Sequence, residues 1–271
     1  MSSVEQKIIV VCDFTERMNE VIVHGIKLAS FLRIELCLFA TYPNKSEKAT
    51  LQEKLIDMTY YVKQQIDSLV VSSLILKGSM LENVNVVSDK YNAVLVVLHR
   101  QMHRSGLKAL RESHIPFLFV EGILPENLDY KQVVLPLDIR KASKETALWA
   151  SYFGKYNRAE ISVLLASEKQ PEEQKLMSKN TDFIKLFFKN TQVDYRLESG
   201  RSSSWGILSE GLERAKTAQA GLLIFAGSTY VSLLDKLIGL PEQKILKKAG
   251  TLPVLIINPR RELYVMCESC H

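Results

Sequence analysis

The chain is written twice. The stretch "IIVVCDFTERMNEVIVHGIKLASFLRIELCLFATY", from Ile8, follows the same plan as "VVLPLDIRKASKETALWASYFGKYNRAEISVLLAS", from Val133. Each opens on an apolar run that ends in an aspartate, Asp13 or Asp138, and continues through a polar turn and a helical pattern into a second apolar run. The parallel extends further: "YNAVLVVLHR" (Tyr91–Arg100) matches "AQAGLLIFAG" (Ala218–Gly227), and "IPFLFVEG" matches "LPVLIINP". The period of about 125 residues is too long for a solenoid repeat and implies two copies of one domain. The 271 residues are enough for two domains of ordinary size.

Within each copy, strand and helix patterns alternate. Strands are expected at Lys7–Cys12, Ile34–Thr41, Val71–Leu76, Ala93–Leu98 and Pro116–Val120, then at Gln132–Leu137, Glu160–Leu165, Gln192–Leu197, Gly221–Phe225 and Pro253–Ile257. Helices are expected at Glu16–Phe31, Glu47–Ser68, Leu81–Lys90 and Ser105–Glu112, then at Lys141–Lys155, Glu172–Lys189, Ser204–Thr217 and Leu240–Lys248. Short, wholly apolar runs suit strands covered on both faces, which means a parallel sheet. The fold class is therefore α/β, with two tandem doubly wound domains, each a five-stranded parallel sheet flanked by helices. The domains are expected over residues 1–124 and 125–258, with a tail over 259–271; "EGILPENLDYK", with Gly122 and Pro125, reads as the linker.

Composition excludes several classes. Apolar residues make up 46% and charged residues 24%, which fits a packed globular chain. No apolar stretch is long enough to cross a bilayer, so no membrane partner is expected. The net charge of +5 is spread among alternating signs without a basic stripe interleaved with aromatics, so no nucleic-acid partner is expected. The opening "MSSVEQKIIVV" shows no cleavable signal architecture, and Cys12 and Cys37 lie in apolar strand patterns as small hydrophobes; both point to the cytoplasm.

In a doubly wound sheet, ligands collect beyond the carboxyl ends of the strands where strand order reverses. Asp13 and Asp138 stand at such ends, where each can cap the following helix or contact a ligand. The segment "FAGSTYVSLLDKLIGLPEQKIL" (Phe225–Leu246) has the strand–loop–helix layout of a phosphate site. His99, Arg100, His103 and Arg104 form a small cationic cluster in the first copy, a weaker candidate for anion or metabolite sensing. "SGRSSSWG" (Ser199–Gly206) reads as a turn and N-cap ahead of a helix containing Trp205. The terminal "CESCH" offers Cys267, Cys270 and His271, three ligands where structural zinc usually takes four, so they are weak metal candidates. No Gly-x-Gly-x-x-Gly, P-loop or Gly-x-Ser-x-Gly motif is present, and "DFTERM" and "DIRKAS" stand where adenylating relatives carry a Ser-Gly-Gly loop.

"VVCDFTERMNEVIVHGIKLA", "VLPLDIRKASKETALWAS" and "KILKKAGTLPVLIIN" resemble the opening and closing segments of universal stress protein domains, in both halves of the chain. The resemblance implies a tandem universal stress protein in the adenine nucleotide α-hydrolase-like branch of α/β folds. It also implies pairing of the two copies through their fifth strands as a built-in pseudo-dimer, with a homodimer and an unidentified protein partner as further expectations. Family members that bind ATP use a Gly-x-x-Gly-x9-Gly loop followed by Ser or Thr. Here Gly227 takes the first position, Tyr230 replaces the second glycine, and Gly239 arrives one residue early. Leu240, Pro241 and Glu242 follow where donors should stand. The first copy lacks the loop: from Arg100 to Pro116 the chain is ten residues shorter than from Gly227 to Pro253.

The expectation is a non-enzymatic binding or regulatory protein of the stress response, with no cofactor and a degenerate nucleotide loop. The competing reading gives the second copy a weak site for ATP, ADP or AMP with slow or no hydrolysis. In it Asp138 and Ala166 lie near base and ribose, and Gly227, Ser228, Thr229 and Gly239 near phosphate, with Asp13 as the equivalent of Asp138 in the first copy.

Overall fold

The structure is a computed structural model that describes residues 6–66, 68–113, 115–122, 130–228 and 240–258. Thr229, Tyr230, Gly239, Cys267, Cys270 and His271, all singled out above, lie outside the described residues. The chain divides into two compact units between Pro125 and Glu126.

In the first unit β1 (Lys7–Val11), β2 (Glu35–Tyr42), β3 (Val71–Lys77), β4 (Ala93–His99) and β5 (Phe117–Val120) alternate with α1 (Met18–Leu32), α2 (Lys45–Gln65), α3 (Met80–Tyr91) and α4 (His103–Glu112). The strands stand in the order β3-β2-β1-β4-β5, each parallel to its neighbour. The second unit contains β6 (Gln132–Leu137), β7 (Glu160–Leu165), β8 (Tyr195–Ser199), β9 (Leu222–Ala226) and β10 (Val254–Ile257). With them run α5 (Glu145–Asn157), α6 (Pro171–Thr191), α7 (Ile207–Thr217) and α8 (Pro241–Lys248). Its order is β10-β9-β6-β7-β8, again parallel throughout. Both units are α/β with a parallel sheet and flanking helices, and strand order reverses at β1/β4 in one and β6/β9 in the other.

Burial follows from that order. β4, β5, β9 and β10 are buried along their whole length, whereas the outer strands β3 and β8 carry half-exposed and exposed positions. A strand covered on both faces reads as an unbroken apolar run, whereas β3 and β8 tolerate Ser72, Lys77, Arg196 and Glu198. The repeat also shows in the helix ends. Arg33 closes α1 and Arg158 closes α5, both left-handed (φ 56° and 53°), and they stand 125 residues apart like Asp13 and Asp138.

Several boundaries differ from expectation for local reasons. Gln192, expected to open a strand, is instead the left-handed C-cap of α6 (φ 54°), and pairing of β8 begins at Tyr195. A single 3₁₀ turn over Lys141–Lys144 precedes α5, so that helix starts at Glu145 rather than Lys141. Ser79 and Glu82 form a reciprocal capping box that starts α3 at Met80. No helix among the described residues is long and apolar enough to cross a membrane.

One core residue carries a pH liability. His24 faces inward from α1 and is fully buried, and its burial pushes the imidazole pKa down to about 3. A histidine in the unfolded chain titrates near 6.5, so below that pH the unfolded state binds the extra proton. This contribution to stability is complete above about pH 6.5 and is lost as pH falls toward the folded pKa, costing about 2 kcal/mol by pH 5. Urea unfolding should show the midpoint falling between pH 7 and pH 5, with a shallower fall in His24→Phe; equal slopes would refute the assignment.

Candidate functional site

The crevice of the second unit lies where β6 and β9 part, and side chains of the same unit fill it. Asp138 follows β6 and is buried at 6% exposure. Its Oδ1 accepts from the Arg140 amide at 2.8 Å and from the Ser143 hydroxyl. Its Oδ2 accepts from Arg140 Nε at 2.8 Å and faces a terminal guanidinium nitrogen at 2.7 Å. The same guanidinium crosses to the end of β9, donating to the carbonyls of Ala226 at 3.2 Å and Gly227 at 3.3 Å. Arg140 thus satisfies one carboxylate and two strand-end carbonyls at once, which a planar fork of donors does well and an ammonium does not.

Two further residues fix this turn. Asn180, buried at the middle of α6, donates from Nδ2 to the carbonyls of Asp138 at 2.8 Å and Arg140 at 3.1 Å. Ser204 accepts from the Ile139 amide at 3.1 Å, and both its amide (2.7 Å) and its hydroxyl donate to Glu168. Neither aspartate caps a helix, one of the two roles expected of them. Asp13 accepts from the amide and hydroxyl of Thr15, two residues on, just as Asp138 accepts from Arg140; the helix N-caps are Arg17 and Lys144. Both aspartates close turns instead.

The residues assigned to a nucleotide are committed elsewhere. The Ala166 amide donates to Leu137 O at 3.0 Å and the Gly227 amide to Ile257 O at 2.8 Å, both as continuations of sheet pairing. The Ser228 amide, which a phosphate would need, donates to Glu242 Oε1. Glu242 stands in the first turn of α8 behind the N-cap Leu240 and Pro241; it is 5% exposed, and its Oε2 has no hydrogen-bond partner among the described residues. A carboxylate beside a helix N-terminus and a strand-end amide occupies ground that suits an anion. A Cβ at Gly227 would lie 3.2 Å from Ile256 Cγ2 and 3.6 Å from that carboxylate, so this glycine is closely walled.

The cationic cluster of the first unit is likewise engaged. His99 is 1% exposed; its Nδ1 accepts from the Gln101 amide at 3.2 Å and its Nε2 lies 3.3 Å from Glu20 Oε2. Glu20 also accepts from the Gly122 amide at 2.6 Å. Arg100 pairs with Glu121, which Arg17 approaches at 3.4 Å, and burial lowers the Arg100 pKa. His103 Nδ1 lies 3.1 Å from the Arg100 carbonyl, and Arg104 is exposed. Asp13 is half-buried and not drawn into this group. Cys12 and Cys37 are buried free thiols; burial pushes Cys37 up to about 11 and Cys12 further, so neither offers a thiolate at neutral pH.

The serine-rich stretch is a turn ahead of a helix, as expected, but its serines do not cap that helix and Trp205 precedes it. α7 begins at Ile207, its N-cap is Gly206, and no serine side chain caps it. Sequence reasoning also passed over Arg140, Ser143, Asn180, Glu168 and Ser204. Asn180 was detectable, as the one polar member of the stripe Met177, Asn180, Ile184, Phe188 that α6 buries.

No protein-family profile matches the chain, and no curated protein is similar to it in sequence. Solved structures do match. A universal stress protein from Archaeoglobus fulgidus DSM 4304 aligns over 94% of this chain and 97% of its own, at 11% identity and a TM-score of 0.71. The cytoplasmic domain of a prokaryotic cation chloride cotransporter aligns over 96% and 98%, at 12% identity and a TM-score of 0.59. A universal stress protein in complex with cAMP covers 49% of this chain and 99% of its own, at 18% identity and a TM-score of 0.39. The fold is that of universal stress proteins.

Because Asn180 satisfies two carbonyls from a buried position, Asn180→Ala should lower unfolding free energy by about 2 kcal/mol in urea titration. A loss below about 0.5 kcal/mol would mean that water replaces the amide without cost.

Proposed function

We propose that this is a universal-stress-type protein, two such units in one chain, that works as a non-enzymatic binding or regulatory module and binds no adenine nucleotide tightly. One observation carries the reading. The strand ends that would receive a nucleotide in the second unit are joined by Arg140, and the Ser228 amide is held by Glu242. To enter, a nucleotide must separate Arg140 from three acceptors and place its phosphates beside the Glu242 carboxylate, against charge repulsion at short range. The buried thiols of Cys12 and Cys37 add support, since they are poor nucleophiles. The first unit supports it as well: His99 and Arg100 face Glu20 and Glu121 rather than an anion.

Thermal-shift and calorimetric titration with ATP, ADP and AMP tests the reading. The expected outcome is no change of melting temperature at millimolar nucleotide. A clear upward shift that Gly227→Val abolishes would overturn it and establish the second unit as a weak nucleotide site.

A further inference from the structure

We propose that the loop Gly200–Gly206 is a protein-docking site, with Trp205 and Arg201 as its anchors, and that it takes an acidic segment of a partner carrying an apolar residue. Trp205 is 97% exposed and the Arg201 side chain 96% exposed. A tryptophan so far out of the core forgoes the largest apolar burial any side chain offers. That exposure does not come from a loosely held loop. The Gly200 amide donates to Leu165 O at 2.8 Å, the Arg201 amide to Glu210 Oε1 at 2.9 Å, and the Ser202 amide to Glu210 Oε2 at 2.8 Å. The Ser204 amide donates to Glu168 at 2.7 Å, and the amides of Gly206 and Ile207 both donate to Ser203 O at 2.9 Å. Ser202 O in turn accepts from the Ser167 amide at 2.8 Å. Two glycines permit the tight path: a Cβ at Gly200 would come within 2.9 Å of Leu165 O, and one at Gly206 within 2.9 Å of Ser202 Cβ.

The loop therefore holds its backbone in place before anything binds, so a partner does not meet the ordering cost that weakens flexible sites. Tryptophan and arginine are the two residue types that most often dominate protein–protein binding energy, and here they share one seven-residue loop with three serines around them.

Charge selects the partner. The loops after β6, β7 and β8 leave the same end of a parallel sheet, and they expose Lys141, Lys169 and Arg201 there. The carboxylates beside those loops are engaged within the unit: Asp138 onto Arg140, Glu168 onto Ser204, and Glu210, in the first turn of α7, onto the Arg201 and Ser202 amides, with the largely exposed Arg201 guanidinium 3.9 Å from it. The Arg201 amide, first among several donors, holds the Glu210 carboxyl below its usual range, so it stays ionised and occupied. Glu172 and Glu173 are the acidic exceptions, and they stand in the first turn of α6, where the helix dipole offsets them. A single aromatic does not make the stacking track that single-stranded nucleic acid needs, and three dispersed cations are fewer than a lipid-binding cluster carries. A short acidic segment matches both features.

The test is selection of random dodecapeptides displayed on phage against the immobilised full chain, followed by anisotropy titration of the selected peptides. The expected consensus is an apolar residue flanked by Asp or Glu. Affinity should be micromolar, weakened about tenfold or more by Trp205→Ala and severalfold by Arg201→Ala or raised salt. Neither residue supports the core, so both variants should melt like the parent chain. The proposal is overturned if no peptide is enriched, if the enriched peptides lack acidic residues, or if Trp205→Ala binds them unchanged. It is equally overturned if an oligothymidylate or phosphatidylserine vesicles bind the loop more tightly than the selected peptides. None of these outcomes depends on whether the crevice takes a nucleotide.

Discussion

The Arg140 guanidinium holds together the place where this fold ordinarily opens. Parallel strands β6 and β9 are neighbours in the sheet, and their pairing covers Val133 and Val134 against Leu222 and Leu223, short of their carboxyl ends. Arg140 spans from the Asp138 carboxylate on one side to the Ala226 and Gly227 carbonyls on the other, which lie 86 and 87 positions beyond Arg140 in sequence. Asn180 then fixes the turn that carries Arg140, and Ser204 fixes Ile139 between them. Removing the guanidinium would leave a buried carboxylate and two strand-end carbonyls short of donors, the costly state for polar groups.

The two units close their crevices with different chemistry. In the second, cation and carboxylate come from the turn after β6 and the start of α8. In the first, the residue two beyond the aspartate is Thr15, whose amide and hydroxyl both donate to Asp13. Closure there falls to Glu20 and Glu121, which engage His99, Arg100 and the Gly122 amide. Side chains at corresponding places in the two units thus take separate roles.

The scaffold was legible from the sequence because strands covered on both faces carry apolar residues throughout, so β4, β5, β9 and β10 read as unbroken apolar runs. Where physics offers a choice, reading was less secure. Gln192 adopts a left-handed conformation that glycine or asparagine more often signals, which hid the end of α6. Lys141–Lys144 begins as a 3₁₀ turn that shares its periodicity closely enough with a helix to be merged into α5. The candidate site was legible only in outline. Gly227 and Glu242 stand out in the sequence as a glycine at a strand end and a charge at a helix start. Pairing of Arg140 with β9, and of Ser204 with Glu168 and Ile139, depends on chain segments brought together by folding, and no spacing in the sequence encodes it.

A crystal structure grown in millimolar ATP tests the central claim most directly. The account predicts Arg140 lying between Asp138 and the carbonyls of Ala226 and Gly227, Glu242 on the Ser228 amide, and no nucleotide density between β6 and β9. Nucleotide in that crevice, with Arg140 turned outward and the Ser228 amide directed at a phosphate, would contradict it.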